Sequence, residues 1–259
     1  MVVLGLYFGM KQRIVIVTGG TSGIGLEAVR LFHAGGDIVY SLSRASGVDV
    51  SDEESVKEAI NKIAEKHGCI DVLVNNAGYG MSGITELVST EEAKKLIDVN
   101  LFGTHFVTKH ALPFMHGGAK IINVSSVAGI FPVPYRSFYA ASKAAVTAYS
   151  LALRGELKPL GIKVCVVSPG NTQTGFTDNR QKSFETNSRY GNRMQNATER
   201  LDKKNRMPAR VVGKKIYKIS RMRKLPPQTI VGRGMRAFYF VSRFLSQKSV
   251  RTMVDKTTM

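Results

Sequence analysis

Thr18-Gly19-Gly20-Thr21-Ser22-Gly23-Ile24-Gly25 is the stretch that decides how this chain reads. It ends "RIVIVTGG", an apolar run closing in glycines, as a buried parallel strand entering a tight turn would. It also opens "GIGLEAVRLFHAGG", whose apolar residues recur at helical spacing until glycine stops them. Between a strand and a helix, glycines let the backbone turn sharply and approach a pyrophosphate. The free N–H groups and the dipole of the helix start favour the negative charge. Three glycines alone are a weak signal, and their place in the chain gives them weight.

Working outward, strand and helix patterns alternate. "DIVYSLSR" reads as a second strand, and "IDVLVNN", "AKIINVSS" and "IKVCVVSPG" as later ones. Ser51 with Glu54 and Ser89 with Glu92 have capping-box spacing, each opening a helical stretch. Further helices are expected at about 100–114 and 138–157. This β-α-β succession predicts an α/β fold: a doubly wound, Rossmann-like parallel sheet in a single domain with helices on both faces. A chain of 259 residues, 43% hydrophobic and 22% charged, can bury such a core. Residues 1–9, "MVVLGLYFG", read as an apolar extension far short of a membrane span, with the domain at 10–259 and a substrate lid and basic region at 171–259.

A second short stretch carries chemistry. In "YAASK", Tyr139 and Lys143 stand at i and i+4 of a predicted helix and share one face. A free tyrosine has a pKa near 10, so bringing it to neutrality takes about 3 units, or roughly 4 kcal/mol. One positive charge at about 4 Å in an effective dielectric of ~20 is worth about as much before desolvation. By this arithmetic the lysine alone is marginal, and a second positive charge nearby would be needed to make the phenol a usable proton carrier.

The glycine spacing T-G-x-x-x-G-x-G resembles the short-chain dehydrogenase/reductase family, and other residues carry the resemblance in order. Asn75-Asn76-Ala77-Gly78 follows what the family counts as a fourth strand, and Asn100 stands in "DVNLFGT". Ser126 ends "NVSS", Tyr139 lies thirteen residues on, and Pro169-Gly170 with Thr172 and Thr174 follows a later strand. The resemblance spans roughly residues 11–174 and implies roles. Tyr139 would exchange a proton with a carbonyl or alcohol oxygen, Ser126 would hold that oxygen, and Lys143 would lower the Tyr139 pKa and bind the nicotinamide ribose. Asn100 would hold a water linking Lys143 to solvent. The dinucleotide would lie on Gly19, Thr21, Ser22, Gly23, Ile24, Gly25, Ser43, Arg44, Asp49, Val50, Asn76, Ala77 and Gly78, as well as on Tyr139, Lys143 and the residues after Pro169. Ser22 with Arg44, where an NAD enzyme carries a carboxylate, resembles the NADPH-preferring hydroxysteroid dehydrogenases of the family, so NADP(H) is favoured and NAD(H) stays open. Only "ASGV" separates Arg44 from Asp49, so the helix usual there is expected to be missing.

The walls between Ser126 and Tyr139, "VAGIFPVPYRSF", are apolar, with Phe131 and Tyr135 as substrate contacts and Gly80 and Met81 close by. They suit a steroid-like or other bulky hydrophobic ketone or secondary alcohol. A non-catalytic dinucleotide sensor or scaffold of the same fold is the alternative, and it would typically lack the tyrosine or lysine. The net charge of +18 is uneven: residues 179–259 hold 21 Lys and Arg against 4 Asp and Glu. "RVVGKKIYKISRMRK" and "MRAFYFVSRFL" have the interleaving of interfacial helices, so peripheral membrane contact is a candidate. Nucleic acid has the charge in its favour but no recognisable module. Cys69 and Cys165 sit in apolar runs and fit a reducing cytoplasm, and His105, His110 and His116 lack metal spacing, so no metal is expected. The resemblance also implies a homodimer or homotetramer.

Overall fold

The five residues of β1 (Ile14–Thr18) show how the sheet divides the core. Ile14 and Ile16 point into one apolar cluster, Val15 and Val17 into the other. Successive side chains of a strand point to opposite faces, so a strand apolar at every position must be covered on both sides. The computed structural model describes residues 12–173, 181–183, 189–203 and 206–258.

The further strands are β2 (Ile38–Leu42), β3 (Val72–Asn75), β4 (Met81–Gly83), β5 (Lys120–Val124), β6 (Lys163–Pro169), β7 (Thr172–Gln173), β8 (Gln181–Ser183), β9 (Met207–Pro208) and β10 (Gln228–Val231). The α-helices are α1 (Gly23–Ala34), α2 (Glu53–His67), α3 (Thr90–Ile97), α4 (Gly103–Ala111), α5 (Ser137–Glu156), α6 (Arg193–Lys203), α7 (Ala209–Arg221), α8 (Arg233–Ser242) and α9 (Gln247–Thr258). Six strands form one parallel sheet in the order β10-β6-β5-β3-β1-β2. Residues of α2, α4 and α5 cover one face, and residues of α1 and α7 the other. The order reverses between β1 and β3, and in such sheets ligands bind at the carboxyl ends of the strands by that switch.

Several expectations are corrected. Helix α2 is capped by Asp52, whose side chain accepts from the N–H groups of Glu54 and Ser55 at 3.0 and 3.3 Å. Ser51 turns its hydroxyl to Asp49 instead, at 2.6 Å, so the Ser51–Glu54 box does not form. The Ser89–Glu92 box does form, and the helix it opens runs through a π-turn at Asp98–Phe102 into α4 without a break. Between β2 and α2 lie only the 3₁₀ turn Arg44–Ser46 and an irregular loop, and the strand that ends at Asn75 is the third among the described residues. The expected missing helix is therefore accompanied by a missing strand. The stretch 210–224, read as an interfacial helix, buries its apolar side: Val212, Ile216 and Ile219 of α7 are fully covered against α1 and the sheet. The 1–9 extension and Thr174 lie outside the described residues.

A buried ion pair ties α7 to the start of β2. Arg13 donates to both carboxylate oxygens of Asp37 at 2.9 and 2.7 Å, Arg221 donates to the same carboxylate at 3.2 Å, and Arg13 also reaches the Ser220 carbonyl at 2.8 Å. Removing one partner of such a cluster leaves charge without compensation. Asp37→Ala is expected to lower unfolding stability by about 3 kcal/mol in a urea titration; a loss under about 1 kcal/mol would mean water replaces the carboxylate.

Candidate active site

At the carboxyl ends of the strands, the loops after β1, β2, β3, β5 and β6 enclose a cleft of about 830 Å³. At one end lies the glycine turn. Thr18 Oγ1 accepts from the N–H groups of Asn76 and Ala77 at 3.0 and 2.9 Å, and Asn76 Nδ2 donates to the carbonyls of Thr18 and Gly19 at 3.1 and 3.2 Å. The end of β3 thus fastens the turn. Gly25 lies beneath it, where a Cβ would overlap the Gly19 carbonyl oxygen. Ser22 is the N-cap of α1 and makes no side-chain cap bond, so the first N–H groups of the helix and the Ser22 hydroxyl face the cleft without an internal partner of that kind.

At the other end stand Ser126, Tyr139 and Lys143, all lining the cleft. Ser126 caps the 3₁₀ turn Val127–Gly129, its Oγ accepting from the Ala128 N–H at 3.1 Å. Tyr139 is buried in α5 and packs with Met81, Leu96 and Ala128. Lys143, one turn on, is only 4% exposed, and its ammonium donates to the Val124 carbonyl at 3.1 Å. Burial pulls its pKa down from 10.5 to about 8, because a charge loses hydration there. Ser125 secures the same turn of helix by donating to the Lys143 carbonyl at 2.7 Å.

Asn100 is fully buried inside the π-turn and acts as a clamp. Its Oδ1 accepts from Tyr79 N–H at 3.0 Å, and its Nδ2 donates to the Tyr79 carbonyl at 3.1 Å and to Ser142 Oγ at 3.0 Å. Gly78, with φ of 158°, passes between this amide and the lysine: a Cβ there would lie 2.7 Å from Asn100 Oδ1 and 3.4 Å from Lys143 Nζ. The two groups therefore border one small space.

Of the remaining expected residues, Gly19, Thr21, Gly23, Ile24, Ser43, Arg44, Asp49, Val50, Asn76, Ala77, Gly78, Pro169, Gly170, Thr172 and Phe131 all line the cleft. Gly25 shapes the turn from below without lining it. Asp49 is held by Ser51, whose hydroxyl and N–H bonds lower its pKa, helped by the charges of Arg44 and Lys95. Tyr135 is corrected: it stands outside the cleft walls, in a turn with φ of 61°, and its carbonyl accepts from Gly83 N–H at 2.9 Å. Met81 is likewise behind the wall, although Gly80 is in it. Sequence reasoning missed Lys95, Arg136, Met235, Phe238, Met253 and Val254, which also line the cleft. The last four come from α8 and α9, and Phe238 lies against Phe131 with ring centroids 4.7 Å apart. An aromatic pair between segments over 100 residues apart leaves no local signal.

Residues 13–185 match the family model for short chain dehydrogenases. The chain belongs to that family. It is 37% identical over 250 residues to a 3-ketodihydrosphingosine reductase of Bacteroides thetaiotaomicron, covering 90% of this chain and 93% of the relative. Among solved structures it is similar to a short-chain dehydrogenase from Streptomyces avermitilis, with a TM-score of 0.81, 27% identity and coverage of 94% of this chain and 96% of that one. It is also similar to ElxO with NADP bound, with a TM-score of 0.69, 28% identity and coverage of 85% and 96%. The chain is thus an oxidoreductase by family.

Asn100→Ala would strip partners from the half-buried Tyr79 backbone at both its N–H and its carbonyl. A loss of about 2 to 3 kcal/mol is expected in a denaturant melt; unchanged stability would show that the clamp is dispensable.

Proposed function

We propose that this protein transfers hydride between NADP(H) and a hydrophobic ketone or secondary alcohol. The observation that carries the reading is the buried Lys143 ammonium one helical turn from Tyr139, on the cleft that Ser126 and the glycine turn also line. The likeness to a 3-ketodihydrosphingosine reductase turns the expected steroid-like substrate toward a long-chain aliphatic ketone. The apolar walls supplied by Phe131, Val133, Phe238 and Met253 suit such a chain.

The residues fit the dinucleotide. The open start of α1 and the Ser22 hydroxyl would take the phosphates, and Arg44, exposed at the end of β2, would meet a 2′-phosphate with its planar fork. When bound, the nicotinamide supplies the hydride. The chain's own residues handle the proton and the oxygen. Ser126 donates a hydrogen bond to the substrate oxygen, and Tyr139 delivers a proton to it as the carbonyl becomes an alcohol. Lys143 holds positive charge beside the phenol, which favours the tyrosinate left behind. Its proton can be restored through the small space shared with Asn100.

Following NADPH absorbance against a panel of long-chain and cyclic ketones, with NADH as control, tests the reading. Tyr139→Phe should lower turnover by about 10²–10⁴-fold while NADPH still binds by fluorescence; turnover near that of the parent would discard the proposal. A second expectation concerns pH. Lys143 carries its charge below about 8 and loses it above. Its support for Tyr139 is therefore present at neutral pH and fades as pH rises through that value. Carbonyl reduction should fall on the alkaline side of about 8, and a profile flat through that range would remove Lys143 from the proton chemistry.

A further inference from the structure

Helix α8 has two apolar sides, and only one is accounted for. Met235 and Phe238 face inward and line the cleft. On the outside, Phe240 is 63% exposed and Val241 49%, and Phe244, just past the helix, is 76% exposed. The Phe240 and Phe244 rings stand 5.4 Å apart, so they form one patch and are not scattered single residues. Arg236, Arg243 and Lys248 are exposed around it. Residues 233–259 hold six Lys and Arg and a single acidic residue, Asp255, which is bonded to Arg251.

We propose that this outer face of α8 docks on an anionic lipid bilayer. Aromatic rings ringed by arginines match a bilayer surface, where rings enter the headgroup boundary and guanidinium groups meet phosphates. A second copy of the chain is the poorer occupant. A two-fold interface sets each patch against itself and brings Arg236 and Arg243 toward their own copies. The contact proposed is interfacial, along one face of a ten-residue helix; no helix among the described residues is long and apolar enough to cross a membrane. The inference goes beyond the proposed reaction and stands on the surface alone.

The test is co-sedimentation of the purified full chain with vesicles of phosphatidylcholine, with or without phosphatidylglycerol. Binding is expected with the anionic lipid, weak binding without it, and release by salt. The double variant Phe240→Ser/Phe244→Ser should partition at least about ten-fold less, and Arg236→Glu/Arg243→Glu should do likewise, both with the parent's thermal melt. If the double variant misfolds, Phe244→Ser alone, at the most exposed position, gives the same comparison. Failure of the parent to bind anionic vesicles, or variants that bind like the parent, would overturn the proposal. So would light scattering that finds a dimer which the phenylalanine variant dissociates. Because the readout is binding, it stands or falls separately from turnover.

Discussion

A buried ammonium must be held by something, and the hold on Lys143 fixes how α5 lies on the sheet. The Val124 carbonyl at the tip of β5 accepts the charge, and the next residue, Ser125, grips the backbone of the same lysine. Bringing the group from 10.5 to about 8 corresponds to about 3 kcal/mol against the charged form. That cost is borne by packing elsewhere along α5, where Val146, Ser150 and Leu153 are buried against the sheet. The strain of a half-compensated charge is thus spread over a long helix, while Tyr139 gains a fixed place in the cleft wall.

Behind this contact runs a ladder of buried polar side chains. Asn75 Nδ2 donates to Thr108 Oγ1 at 3.0 Å and to Asn123 Oδ1 at 2.9 Å, and Asn123 donates to Ser150 Oγ at 2.8 Å. These bonds join α4, β3, β5 and α5 at the depth of the sheet. In a low-dielectric interior each bond is directional and costly to leave unmade, so the ladder sets the register of elements that apolar contacts alone would let slide. The loops that carry Asn76 and Ser126 leave the sheet next to it and inherit that register.

Much of this was legible because the signals are local. The glycine turn needs only the eight residues from Thr18, and the Tyr139–Lys143 relation follows from helical spacing. Where reading failed, the deciding partner was remote or the choice was between near equals. Ser51 and Asp52 are both good caps, and Asp49 settled the matter by taking the serine. An amphipathic pattern in α7 looks the same whether it meets a membrane or a sheet; α1 and the strands beneath it decide. Asn100 reads only as a relay in sequence; its second task, a clamp on Tyr79 and Ser142, depends on a partner 42 residues away. Phe238 and Met253 enter the cleft from the C-terminal part of the chain, whose charge had drawn attention to its outer surface.

The loop from Ser43 to Asp52 does the work of a strand and helix that the sheet does not contain. It closes the rim beyond β2, caps α2 through Asp52, lays Val50 into the core beside Gly103, and presents Arg44 and Asp49 to the cleft. Residues that line the cleft and residues that finish the fold therefore share one ten-residue loop. A substitution in this loop that reshapes the cleft is thereby coupled to the capping of α2 and to the packing of Val50.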